Sequence, residues 1–134
     1  MSVRIYKKDD IVFAKHISMD DFKEGLAFFS DDNDFLQVGT WNYPAGKELL
    51  AHNHNIVERN VNRTQEVLFI RKGRILAEIY NEDDKKIDSF EAQEGDIVIL
   101  LNGGHGYKIL EDNTQVLEIK NGPYLGPEKD RRRI

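Results

Sequence analysis

The chain has 134 residues, a length typical of one compact domain, and its 40% hydrophobic and 32% charged residues are usual for a globular protein. A net charge of -5 argues against a nucleic-acid surface built on bulk positive charge. No apolar run approaches the ~20 residues that cross a bilayer, and no signal-peptide pattern is present, so we expect a cytoplasmic protein with no membrane partner. The absence of cysteine excludes disulfides, zinc–thiolate sites and cysteine nucleophiles.

The first forty residues predict short strands and one short helix. Two strands are predicted in SVRIY and DIVFAKHI, which are separated by the turn-like KKDD. Ser18 can cap a helix, but Gly25 disfavours a long one, so a short helix at best is expected between them. The segment DFLQVGTWNY is again strand-like and ends at the turn PAG.

The second half of the chain is predicted to consist of β-hairpins. Alternating apolar positions and turn residues predict strands in EVLFIRKG, RILAEIY, IDSFEA, GYKILED and TQVLEIK. The run QEGDIVILL is almost wholly apolar, which is typical of a strand buried on both faces. Many short strands with few helices indicate an all-β sandwich or barrel. Because no linker or repeat interrupts the pattern, we predict a single domain over residues 1–134.

Two of the four histidines, His52 and His54, are separated by a single residue. If KELLAHNHN is a strand, both imidazoles point to the same face and can converge on one ion. The alternative is a polar loop in which this spacing has no chemical role. His16 is expected at the surface or at a strand end.

Residues on both sides of this pair follow a known order. Gly46 precedes His52 by five intervening residues, six residues separate Glu66 from Gly73, and GDIVILLNGGHGY places His105 after a predicted buried strand and a glycine turn. Over about residues 38–120 this order resembles the two motifs of the cupin superfamily. The resemblance implies a double-stranded β-helix, or jelly-roll barrel, with at most one short N-terminal helix. It also implies that the N-terminal strands and the C-terminal tail pack outside the barrel core.

In metal-binding cupins, three histidines and one glutamate coordinate a divalent ion at the barrel mouth. Carried over to this chain, the resemblance implies that the ligands are His52, His54, Glu66 and His105. This donor set suits Fe, Mn, Ni, Cu or Zn and leaves one or two positions open for water or a substrate.

Three features depart from the cupin pattern. Eleven residues separate His54 from Glu66, more than is usual, which predicts an enlarged loop over the barrel mouth. Glu58 fits the usual gap but lacks the following glycine, so Glu66 is the preferred ligand. Leu101 stands where the family usually has proline. The turn NGG before His105 is shorter than usual, a contraction that glycines can absorb.

Several side chains near these motifs are candidates for ligand binding. Arg59 and Arg63 could hold a carboxylate or phosphate through paired donors, or could instead be solvated or contact a dimer partner. Tyr107 shares a predicted strand face with His105. Trp41 could line a ligand pocket, although aromatic residues at strand spacing are more often part of a core.

Three classes of function are compatible with these residues. The first is a metal-dependent enzyme acting on a small polar or carbohydrate-like molecule. The second is a metal-free nucleotide-sugar isomerase or epimerase, in which His54 or His105 is the base and Tyr107 the acid. The third is a non-catalytic ligand-binding or metal-sensing module.

Two further expectations come from the resemblance. The C-terminal part of the chain, from GGHGY onward, looks like small cupins associated with surface-polysaccharide and nucleotide-sugar genes, which points to carbohydrate metabolism. Family members commonly pair through edge strands, so we expect a homodimer.

Overall fold

The computed structural model describes residues 3–134, and these residues form ten strands, one short 3-10 helix and one helical turn. The strands are β1 (Arg4–Lys8), β2 (Ile11–Ile17), β3 (Gly25–Phe28), β4 (Gly39–Asn42), β5 (Glu66–Lys72), β6 (Arg74–Tyr80), β7 (Lys86–Gln93), β8 (Ile97–Leu100), β9 (Gly104–Ile109) and β10 (Gln115–Lys120). Every strand pairing is antiparallel, so the predicted all-β class is confirmed.

The strands form a five-stranded sheet, a three-stranded sheet and a separate hairpin. The larger sheet has the order β1-β2-β8-β5-β10, the smaller sheet has the order β7-β6-β9, and β3 pairs only with β4. Strand β2 therefore lies inside the larger sheet, where the N-terminal strands were expected to pack outside a core of residues 38–120. The reason is its apolar run, which supplies Phe13 and Ala14 to the main core.

The main core lies between the two larger sheets. Alternate residues of β6 point into it, which confirms the alternation predicted for this strand. A second cluster covers the opposite face of the five-stranded sheet, where Phe29, Leu36 and Val38 pack against Ile97, Ile99 and neighbouring residues. Strand β8 is consequently buried along both faces, as its apolar sequence predicts.

The helical segments are short for local reasons. The 3-10 helix covers Met19–Asp21, and the backbone N–H of Ser18 donates to Asp21 Oδ2 at 2.8 Å, which closes the predicted cap. A helical turn at Pro127–Asp130 was not expected; it begins with a proline, whose fixed φ favours the first helical position. Within residues 3–134, neither segment has the length or apolarity of a membrane span.

His16 lies next to the last residue of β2, in agreement with the strand-end alternative, but it is buried, which corrects the expectation of a surface position. Its Nε2 lies 2.7 Å from Asp96 Oδ2, and its ring stacks on Phe90 with centroids 5.0 Å apart. The same Asp96 oxygen accepts a hydrogen bond from the backbone N–H of Gln93 at 3.0 Å. The pair joins β2 to the turn before β8, on the side of the sheet that faces the main core.

Residues 44–63 are all exposed and contain no strand or helix. We call this segment the arm. Its conformation corrects the prediction that KELLAHNHN is a strand. The physical reason is that an extended segment becomes a strand only when a neighbour accepts its backbone hydrogen bonds, and the asparagines of this segment disfavour strands intrinsically.

Candidate functional site

Glu66 and His105 meet across the main core. Glu66 begins β5 in the five-stranded sheet, and His105 lies near the start of β9 in the three-stranded sheet. His105 Nε2 is 2.6 Å from Glu66 Oε2, with the carboxylate side chain 8% exposed and the imidazole 28% exposed. The fold therefore brings together two of the four predicted metal ligands.

Strand alternation explains why Glu66 points inward. Residues two apart on a strand share a face, so Glu66 lies on the same side of β5 as Leu68 and Ile70, which belong to the main core. A carboxylate in such surroundings is costly unless it is paired or hydrogen-bonded. His105 supplies that partner.

Tyr107 lies beside His105 on the same face of β9, with ring centroids 5.2 Å apart. Tyr107 is partly covered, with 37% of its surface exposed, and this desolvation raises the pKa of its phenol, which the carboxylates of Glu66 and Glu118 raise further. The phenol therefore keeps its proton through the physiological pH range. A protonated phenol next to an imidazole can donate a hydrogen bond or a proton to a bound molecule.

The raised pKa of Tyr107 predicts a late step in alkaline titration. Tyrosinate absorbance near 295 nm should show a component that appears only well above the ordinary tyrosine pKa of about 10, and Tyr107→Phe should remove part of it. Above about pH 10 the unfolded chain releases the Tyr107 proton while the native state still holds it. The contribution of Tyr107 to the free energy of unfolding is therefore complete below about pH 10 and declines at higher pH. Tyr124→Phe, at an exposed position, should leave the late component unchanged. A late component of equal amplitude in Tyr107→Phe would contradict the assignment.

Lys120 is a charged neighbour that sequence reasoning missed. It lies directly opposite Glu66 in the pairing of β5 with β10, and its Nζ is 3.2 Å from Glu118 Oε1. The hydrogen bond to Glu118 raises the pKa of Lys120, with a smaller contribution from Glu66. The alternation in TQVLEIK places Glu118 and Lys120 on one face of the strand. Only the register with β5 shows that this face is the one that carries Glu66.

His52 and His54 lie on the arm rather than in the body of the protein. Their rings are in contact edge to face, with centroids 4.9 Å apart, and both residues are exposed. His52 Nδ1 lies 3.2 Å from the carbonyl oxygen of Leu50, which leaves Nε2 as the ring nitrogen available to a ligand. The pair exists as predicted, but it does not line a strand of the core.

The four predicted ligands thus form two separate pairs. Among residues 3–134, no three histidine or carboxylate side chains are grouped so as to hold a metal ion. The prediction that all four converge from strands of one chain is not reproduced by this arrangement. Only the pair formed by Glu66 and His105 is assembled within the core.

Each pair nevertheless has a spacing that suits a metal ion. Two donor atoms that bind one ion at ~2.0–2.2 Å and at right angles to each other lie roughly 3 Å apart. The 2.6 Å between Glu66 Oε2 and His105 Nε2 would therefore have to increase only slightly to admit an ion. Two imidazoles on one ion have ring centres roughly 4.5–5.3 Å apart, and those of His52 and His54 are 4.9 Å apart. The donor chemistry fits a transition metal of borderline softness.

The arginines predicted to bind a ligand lie outside the core. Arg59 is on the arm, and its Nη1 lies 3.5 Å from the carbonyl oxygen of Val57. The Arg63 guanidinium lies 5.8 Å over the Phe35 ring and lines a surface cleft together with Asp31 and other acidic residues. Neither Glu66 nor His105 lines that cleft.

Trp41 and Glu58 are also exposed. Trp41 lies on β4, where 65% of its surface is accessible, and it shares a face of the β3–β4 hairpin with Leu26. Glu58 lies on the arm, whereas Glu66 contacts His105, so the preference for Glu66 over Glu58 agrees with the positions of the two carboxylates.

The turn before His105 depends on Gly103. Its φ of 69° lies in the left-handed region, and a Cβ at this position would be 2.1 Å from the backbone oxygen of Tyr80. We expect Gly103→Ala to lower the free energy of unfolding by about 2 kcal/mol or more in urea denaturation. Gly106→Ala is a matched control on β9, the strand that follows this turn, because its nearest neighbour would be 3.9 Å away. Equal stability of the two variants would contradict this role.

Comparisons with protein-family models, curated proteins and solved structures found no match for this chain. Function must therefore be inferred from the side chains that the fold brings together.

Proposed function

We propose that this protein is a small metal-binding cupin that holds one divalent transition-metal ion through His52, His54, Glu66 and His105. The observation that carries the proposal is the contact between Glu66 and His105. These residues come from different sheets and meet at 2.6 Å beside the main core, where the carboxylate is nearly buried and the imidazole is partly exposed. A nearly buried carboxylate and an imidazole at this spacing form half of a metal site.

The architecture supports a cupin-type barrel. Two antiparallel sheets face each other, with the glutamate on one sheet and the histidine on the other. Among residues 3–134, strands β9 and β10 each have a neighbouring strand on one side, so further strands could be added at their other edges. Such additions would bring the fold closer to a double-stranded β-helix.

The neighbouring side chains fit an enzyme acting on a small polar or carbohydrate-like substrate. A bound divalent ion supplies a Lewis-acid site for an oxygen atom of the substrate. Tyr107 holds a proton next to that position, and the Lys120 ammonium contributes positive charge from the adjacent strand.

Elemental analysis of untagged protein tests the proposal. Protein purified without a polyhistidine tag should contain close to one transition-metal ion per chain, removable by a chelator and restored by Mn, Fe, Ni or Zn. Protein that is metal-free and fails to bind any of these ions in a calorimetric titration would overturn it.

A second candidate is a metal-free isomerase or epimerase acting on a nucleotide sugar. The observation in its favour is that Glu66 contacts His105 directly while Tyr107 lies beside the same imidazole. A carboxylate that orients an imidazole, with a protonated phenol alongside, is a suitable base and acid for moving a proton next to a carbonyl group. Binding of a nucleoside diphosphate sugar to metal-free protein, with deuterium incorporation lost in Tyr107→Phe, would favour this candidate.

A further inference from the structure

The arm displays a series of apolar side chains to water. Leu50 is 83% exposed and Ile56 is 105% exposed, so these two residues make almost no contact with the rest of the chain. Leu49, Val57 and Val61 are also exposed. An apolar series of this length on an extended segment indicates a surface that another surface covers.

Outside the arm, strand edges without a neighbouring strand lie near the pair formed by Glu66 and His105. Within residues 3–134, strand β9, which carries His105, has β6 as its one neighbouring strand, so no strand covers its other edge. Apolar residues also remain exposed nearby, including Ile109 on β9 and Val116 on β10, which lies opposite the main-core residue Ile70. An unpaired edge with apolar neighbours is a template for an added strand.

The arm is anchored where it rejoins the body. The backbone N–H of Gln65 donates to Asn121 Oδ1 at 2.7 Å, and the Gln65 side chain accepts hydrogen bonds from the backbone N–H groups of Phe35 and Leu36. Before the arm begins, β4 is held by its pairing with β3. Between these anchors, the hydrogen bonds that the described chain shows for residues 44–62 join residues no more than three positions apart.

We propose that the arm docks along the β9 edge of a second copy of this chain, so that His52 and His54 of one protomer join Glu66 and His105 of its partner. The inference rests on the proposed metal site and deepens it, because neither chain alone completes the ligand set. A two-fold arrangement makes the exchange reciprocal, and each chain gives one arm and receives one. The ratio of one ion per chain is preserved.

The area available suits a stable dimer. Each of the five apolar arm side chains removes on the order of 100 Å² from water when it is fully buried. Two arms and the two surfaces they cover therefore bury roughly 2,000 Å², which is the size of a specific protein–protein interface. The sheet edge adds backbone hydrogen bonds to this apolar contact.

Complementation between two defective chains tests the exchange. One chain carries His52→Ala and His54→Ala, the other carries Glu66→Gln and His105→Ala, and both are co-expressed with different tags that do not bind metal. Mixed dimers isolated over two affinity steps should hold one ion per dimer, half of the wild-type content, although each parent holds none. Mixed dimers as empty as their parents, with wild type fully loaded, would show that each arm serves its own chain.

Cross-linking gives a readout that does not depend on metal. The chain has no cysteine, so Asn53→Cys in one chain and Gly106→Cys in the other create a defined pair. Asn53 lies between His52 and His54, and Gly106 lies between His105 and Tyr107. Oxidation should produce a covalent dimer, and replacing the second partner by Lys8→Cys, on the exposed end of β1, should not. Cross-linked protein without metal would overturn the proposed function alone, whereas metal-loaded protein without cross-links would overturn the exchange alone.

Discussion

Replacing His105 with alanine is expected to weaken the binding of a divalent metal by at least ~100-fold. Removing a residue that merely orients a metal ligand typically costs 10–100-fold in affinity, and losing a ligand itself costs more. His105 is also the side chain that pairs with Glu66 inside the core, so its loss leaves the carboxylate without its partner. Competition with a chromophoric chelator measures the affinity over the required range.

Matched variants separate the ligands from their neighbours. His54→Ala and Glu66→Gln should show losses similar to that of His105→Ala. Asn53→Ala, which lies between the two arm histidines, and Glu58→Gln, the other carboxylate with motif-like spacing, should retain wild-type affinity. Wild-type affinity in His105→Ala, or a large loss in Glu58→Gln alone, would contradict the ligand set.

Replacing Asp96 with alanine is expected to lower the free energy of unfolding by about 3 kcal/mol or more. His16 and Asp96 are buried together, and removing one partner of a buried pair leaves the other unsatisfied. The loss is aggravated because His16 Nδ1 already has no hydrogen-bond partner in the described chain. Urea denaturation followed by circular dichroism measures the change.

Glu94→Ala is the control for this effect. Glu94 is an exposed carboxylate in the same turn, so its replacement should change the free energy of unfolding by no more than about 0.5 kcal/mol. If the two variants were equally stable, the buried pair would not have the structural role assigned to it.

Strand patterns in the second half of the chain were predictable because their signals are local. Alternation along RILAEIY and the apolar run IVIL each determine which faces are buried, without knowledge of the neighbouring strands. The meeting of Glu66 and His105 followed from their motif positions. For these elements, local pattern and tertiary packing agree.

Other features depend on partners distant along the chain and could not be predicted. His16 is buried because it pairs with Asp96, a residue 80 positions away. The place of β2 beside β8 depends in the same way on non-local strand order. The arm illustrates the limit most clearly, because its spacing suits a strand but no neighbouring strand of the described chain pairs with it. The spacing of the histidines indicates candidate ligands, but it does not indicate which strand edge the arm would pair with.

X-ray absorption at the zinc edge of the zinc-loaded wild-type protein tests the metal site most directly. Three imidazole nitrogens and one carboxylate oxygen at ~2.0–2.2 Å are predicted, with the multiple-scattering pattern of three imidazole rings. A single imidazole would mean that His105 binds without the arm. That result would contradict the four-ligand centre, and so would a shell of oxygen atoms alone.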